Sequence, residues 1–175
     1  MSKVLLLVDF QEEWRDKNSE YYLGEFKEKV ANAKLLLELF RSRKLPIIFT
    51  QHVEMGSTSA FAEGSKNAEV IKELSPAKNE SVIVKHKISP FYETKLAEIL
   101  KKAKVDEIVV CGIMTNLCVR SAISDAYDRD FKITVIKDCC ASDSKETDEF
   151  TFNDLKKTRP EISLMNTKEF IENEA

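Results

Sequence analysis

The chain has 175 residues, 43% hydrophobic and 33% charged, with a net charge of −3. That composition supports one globular domain with a sizeable core and excludes a disordered chain. Lys and Glu are interspersed rather than clustered, and the longest apolar runs, such as Val4–Val8, cannot span a bilayer, so the expectation is a cytoplasmic protein that engages neither nucleic acid nor membrane.

Lys3–Phe10 (KVLLLVDF) reads as a strand buried on both faces, ending in the carboxylate of Asp9 and followed by Gln11. Trp14, Tyr21 and Tyr22 follow in a loop. From Gly24 to Lys44 the apolar positions Phe26, Val30, Ala33, Leu36, Leu37 and Phe40 recur at helical spacing until Pro46 stops the helix. Ile47–Phe49 forms the next strand and delivers Thr50, Gln51 and His52 to its carboxyl end. A polar loop spans Gly56–Lys66, and a short helix is expected around Ala68–Leu74, with a turn at Ser75–Pro76. Ser81–Lys85 is a third strand; taken alone, its terminal lysine reads as a solvated charge. Pro90 breaks the chain and Tyr92–Lys102 reads as an amphipathic helix.

The uncharged run Ile108–Cys111 is another buried strand, broken by Gly112. Thr115 or Asn116 is placed to cap a helix, which puts Cys118 at its first turn and runs on through Ala122, Ala126 and Tyr127. Unpaired N–H groups and the positive end of the helix dipole there favour a thiolate. Phe131–Ile136 is a fifth strand leading to Asp138, followed by a helix near Ser144–Lys157, a short strand at Ile162–Met165 and a final helix capped by Thr167. The four cysteines fit neither a zinc spacing nor a secreted disulfide framework. Cys111 reads as a small buried hydrophobe and the Cys139–Cys140 pair as packing, although the pair leaves a thiol-based redox role as a rival.

Strands alternating with helices along the whole chain predict an α/β fold with a parallel sheet and helices on both faces. The strands leading to Asp9, Lys85 and Gly112 then present their carboxyl ends on one edge of that sheet, where open parallel sheets place their sites.

With these elements in place, the sequence resembles the isochorismatase-like cysteine hydrolases, the family of nicotinamidases and N-carbamoylsarcosine amidases. The matching motifs are D-x-Q at Asp9 and Gln11, and K-x-x-x-S-x-F at Lys85, Ser89 and Phe91 with Thr94 and Leu96 following. The third is G-x-x-T-x-x-C-V at Gly112, Thr115, Cys118 and Val119, continuing through Asp125-Ala126 to Asp138. The resemblance implies a single domain over residues 1–175 built on a six-stranded, mostly parallel sheet in a three-layer α/β/α arrangement. It implies a catalytic triad of Asp9, Lys85 and Cys118. It also implies a cis Ile113–Met114 peptide and an oxyanion hole made by the backbone N–H groups of Met114 and Cys118. Gln11, Trp14, Phe91 and Asn116 are candidates for the substrate pocket.

One departure bears on substrate. Nicotinamidases carry a metal set of the form D-x-H with a further histidine, whereas the corresponding stretch here, Thr50-Gln51-His52, lacks the aspartate, and the other histidine, His86, stands beside Lys85. No metal and no cofactor is therefore expected. Retention of Cys118 favours C–N hydrolysis of a small amide or carbamoyl compound through a thioester. The alternatives are a vinyl-ether hydrolase of the isochorismate type and a catalytically idle member acting as a binding or assembly module. The resemblance also implies a homo-oligomer, a dimer or larger.

Overall fold

A computed structural model describes residues 2–174. Six strands form one parallel sheet: β1 (Lys3–Val8), β2 (Ile47–His52), β3 (Ser81–Lys85), β4 (Glu107–Gly112), β5 (Lys132–Ile136) and β6 (Ser163–Met165), in the order β3-β2-β1-β4-β5-β6. Five α-helices connect and close it: α1 (Lys27–Ser42), α2 (Leu96–Lys102), α3 (Arg120–Tyr127), α4 (Lys145–Thr158) and α5 (Thr167–Glu174). The chain steps from β1 outward to β3, then crosses back to β4 and continues to β6. Right-handed crossovers put α1 on one face and α2, α3 and α4 on the other. α5 joins α1, with Phe170 stacked on Phe40 at 6.2 Å. None of the described helices is long and apolar enough to cross a membrane.

The core follows the apolar runs. Val4 to Val8 in β1 and Ile108 to Cys111 in β4 are almost wholly excluded from solvent, as are Leu36, Leu37 and Phe40 on the inner face of α1. β1 and β4 pair in register from Lys3–Glu107 to Val8–Gly112. Strand order reverses at these neighbours, so their carboxyl ends open the crevice in which such sheets bind ligands.

Two predicted helices are corrected. Ala68–Leu74 does not form one helix but two 3-10 turns, Lys66–Ala68 and Lys72–Leu74. The backbone between them is engaged elsewhere: Ile71 N donates to Phe10 O at 2.8 Å, Glu12 N donates to Glu69 O at 3.0 Å, and Val70 bridges Gln11. The helix expected from Tyr92 starts only at Leu96. Glu93 is left-handed (φ 51°), and the Ser89 and Thr94 hydroxyls accept from Phe91 N and Leu96 N, so the stretch before Leu96 is a string of tight turns.

Candidate active site

Asp9 follows the last residue of β1 in a left-handed conformation (φ 51°), held by bonds at both ends of its backbone. Its N–H donates to Thr50 O at 3.2 Å, and its carbonyl accepts from Gln11 N at 2.9 Å and from the Trp14 indole N–H at 2.7 Å. Thr50 is aligned with Val8 across the β1–β2 ladder, and its hydroxyl donates to Asp9 Oδ1 at 2.5 Å. Asp9 Oδ2 faces Lys85 Nζ at 2.8 Å. Both residues are buried, Lys85 at 1% exposure, which corrects the reading of a solvated strand-end lysine. β3 is an edge strand, but its alternation turns Ile83 and Lys85 inward while Val82 and Val84 face out.

Cys118 comes from the segment after β4. Gly112 has φ +149°, and an added Cβ there would sit 2.1 Å from Val8 O, so only glycine lets the two strand ends approach this closely. The Ile113–Met114 peptide is cis. A π-helical turn, Thr115–Val119, then leads into α3. Leu117 N and Val119 N both donate to Met114 O, at 3.2 and 3.1 Å. The cap position falls on Met114, and neither Thr115 nor Asn116 caps with its side chain, contrary to expectation. The Thr115 N–H is drawn instead to Ala141 O at 2.9 Å, while Thr115 Oγ1 and Asn116 Oδ1 are buried without a hydrogen-bond partner.

Cys118 Sγ lies 3.4 Å from Lys85 Nζ, close enough to the Asp9 carboxylate to feel its charge. Burial, then the Asp9 charge, push its thiol up to about 12, and Lys85 only partly opposes them. The resting residue is therefore a thiol, not the helix-stabilised thiolate expected from its position. Burial pulls Lys85 down, but Asp9 and Cys118 outweigh it and hold its pKa above the usual lysine range. The site thus sets the Asp9 carboxyl group, the Lys85 ammonium and the Cys118 thiol side by side.

The remaining candidates occupy distinct places. Gln11 is wholly buried; its Nε2 donates to His52 O and Ala68 O, and its Oε1 accepts from His52 N, each at 2.8 Å, so its amide is committed to the backbone. Trp14 commits its N–H to Asp9 and packs edge-on against Phe61 at 4.9 Å, in a cluster that reaches Tyr21 and His52. Phe91 is a core residue beneath the Arg129 guanidinium, 4.8 Å from its ring. Asn116 is half-buried on the turn that carries Cys118.

His52 does have a nearby carboxylate, which corrects the sequence reading: Nε2 is 2.7 Å from Glu54 Oε1. Among the described residues, no three His, Cys, Asp or Glu side chains gather in a group fit to hold a metal ion. Cys111, Cys139 and Cys140 are fully buried free thiols; Cys139 contacts Thr167 Oγ1 at 3.1 Å and Cys140 donates to Ile136 O at 3.3 Å. Thr50 and Glu54 were not singled out from sequence. The signal for Thr50 was there, since a hydroxyl at the end of the strand beside Asp9 is placed to bond it, but using that signal required the register.

The likeness to known proteins runs over nearly the whole chain. The isochorismatase domain family matches residues 3–166. The uncharacterized isochorismatase family protein YddQ of Bacillus subtilis is 30% identical over 143 residues, covering 81% of this chain and 79% of YddQ. An isochorismatase-like hydrolase from Alkaliphilus metalliredigens superposes with a TM-score of 0.90 over 100% of both chains, at 24% identity. N-carbamoylsarcosine amidase from Thermoplasma acidophilum does so with a TM-score of 0.83 over 95% of this chain and 97% of its own, also at 24% identity.

Proposed function

The chain belongs to the isochorismatase family of hydrolases, and on that premise we propose that it is a cysteine amidohydrolase acting on a small amide or carbamoyl compound. The observation that carries this reading is the meeting of three side chains from three strand ends: Asp9 at 2.8 Å and Cys118 at 3.4 Å from the Lys85 ammonium.

Asp9 takes the thiol proton as sulfur attacks the carbonyl carbon, and Lys85 balances the negative charge that passes through sulfur. The carbonyl π bond opens to an oxyanion, which the N–H groups of Met114 and Cys118 receive at the head of the helical turn. Asp9 returns the proton to the departing nitrogen as the C–N bond breaks, leaving a thioester on Cys118. Water activated by Asp9 then attacks the thioester, and the thiol recovers its proton. Asn116 Oδ1, a buried acceptor without a partner two residues from the nucleophile, suits a substrate N–H. The apolar Val82 and Val84 on the edge strand, with Ile88 and Tyr92 following, are exposed and support a homo-oligomer. Sedimentation velocity tests that assignment, and a monomer at micromolar concentration would end it.

The deciding experiment measures ammonia release from a panel of small carboxamides and ureido compounds, with intact-mass detection of adducts. Turnover of at least one compound, an acyl mass on Cys118, and loss of both in Cys118→Ala are expected. Turnover that survives in Cys118→Ala would point to non-covalent chemistry such as vinyl-ether hydrolysis. A folded wild-type protein that forms no adduct would favour the idle module.

A further inference from the structure

Lys85 Nζ carries three protons and has four acceptors in reach. Asp9 Oδ2 lies at 2.8 Å, Lys87 O at 3.0 Å, Cys118 Sγ at 3.4 Å and His52 Nδ1 at 3.5 Å. The proposed reaction weakens two of them together. Once sulfur is bonded to carbon and Asp9 holds the proton, the carboxylate charge is gone and the sulfur is a poorer acceptor. The ammonium then sits at 1% exposure with Lys87 O as its remaining strong close partner. A buried ammonium short of acceptors is costly and prone to move.

His52 is the acceptor left, and it is held in place for that task. Register pairs His52 directly with Lys85, and Thr50, two residues earlier on the same face of β2, bonds Asp9. Gln11 clamps the His52 backbone on both sides, with Nε2 on its carbonyl and Oε1 on its N–H, each at 2.8 Å. Phe61 meets the imidazole edge-on at 5.4 Å. Glu54 Oε1, 2.7 Å from Nε2, is placed to accept an N–H from that nitrogen, the tautomer that turns the Nδ1 lone pair toward Lys85. The 3.5 Å separation is long for the resting state, as befits a partner that Lys85 takes up fully only when Asp9 lets go.

We infer that His52 is a positioning residue of this site: its imidazole, oriented by Glu54 on Nε2, presents Nδ1 to hold the Lys85 ammonium while Asp9 carries the thiol proton. This rests on the amidohydrolase reading and extends it to a five-residue chain from the half-exposed Glu54 to Cys118. Protons balance without His52 changing its own, since the thiol proton travels to Asp9 and on to the leaving nitrogen.

The test compares His52→Asn, His52→Gln and His52→Phe. An asparagine amide oxygen reaches about where Nδ1 stands, glutamine reaches toward Nε2, and phenylalanine keeps only the ring. Gln and Phe should lower kcat by roughly ten- to a hundred-fold, the weight of a hydrogen bond to a charged group, with KM within about two-fold. Asn should recover kcat to within about five-fold of wild type. A role in packing alone predicts the opposite order, with Phe best because it fills the space against Phe61, and that order would overturn the inference. If the His52 variants fail to fold, Glu54→Ala, at a half-exposed position, should still lower kcat about three-fold with KM unchanged; an unchanged kcat there overturns it too. Alkylation of Cys118 by iodoacetamide, followed by mass, draws on the thiolate that a well-placed Lys85 ammonium stabilises and should follow the same order. Should the wild type turn over no amide at all, the amidohydrolase reading has failed, and the alkylation order still decides the role of His52.

Discussion

Asp9 and Lys85 push the Cys118 thiol in opposite directions, so their removal should differ in sign as well as in size. The thiol is raised first by burial and next by the Asp9 charge, and Lys85 lowers it. Asp9→Asn should therefore bring the thiol down and speed alkylation at pH 7, while amide turnover disappears with the base. Lys85→Met should slow alkylation and also abolish turnover. It should cost about 3–5 kcal/mol of stability in a urea melt, because Asp9 keeps a buried charge without its cation. Lys87→Met, whose side chain is exposed, is the control for both assays. Alkylation slowed equally by Asp9→Asn and Lys85→Met would show that the two charges do not act on sulfur. Asp9 and Lys85 could be picked out because each sits at or just beyond a strand end, where the topology of a parallel sheet gives it meaning, and Cys118 because it lies on the helical segment that follows β4. The committed amide of Gln11 and the His52–Lys85 pairing could not, since they join residues 41 and 33 positions apart through strand register.

The segment from β4 into α3 shows what a local pattern can and cannot specify. An uncharged run ended by glycine is a buried strand and its break, and the structure has both. The cap was misassigned because Thr115 and Asn116 carry typical capping side chains, whereas the Thr115 N–H is claimed by Ala141 from the neighbouring strand connection. Ala68–Leu74 failed for the same reason, its backbone being bonded to the loop after β1. Gly112 gives this element its sharpest test. Gly112→Ala places a Cβ 2.1 Å from Val8 O and 2.7 Å from Val8 Cβ at φ +149°, so β1 and β4 must separate. A loss of about 3 kcal/mol or more is expected. Gly64→Ala, at φ +72° with nothing within 4 Å, should lose only about 1 kcal/mol. Equal losses in chemical denaturation would mean that the strand ends are free to part.

At the scale of the whole molecule, alternation of strands and helices was enough to anticipate a parallel α/β sheet, and the crevice beside β1 and β4 follows from its strand order. The same burial that builds the sheet sets the response to alkali. Cys111 and Cys140 are held above the ordinary thiol range by burial, and Cys118 at about 12. An unfolded chain releases such protons near pH 8.5, so the folded state's advantage is intact below that pH and is lost as pH rises toward the folded values. Each thiol that ionises only on unfolding should contribute a decline of about 1.4 kcal/mol per pH unit. Denaturation series from pH 7 to 10 should show this decline, shallower in Cys140→Ala; an identical slope in that variant would remove Cys140 from the account. The placement of sulfur has one more consequence. Three of the four thiols are sealed at 0% exposure and only Cys118 is partly open, so a bulky chromogenic disulfide should count one equivalent per folded chain and four after denaturation. The folded chain thus serves as its own titrant, giving the concentration of intact sites in a preparation before any substrate has been found.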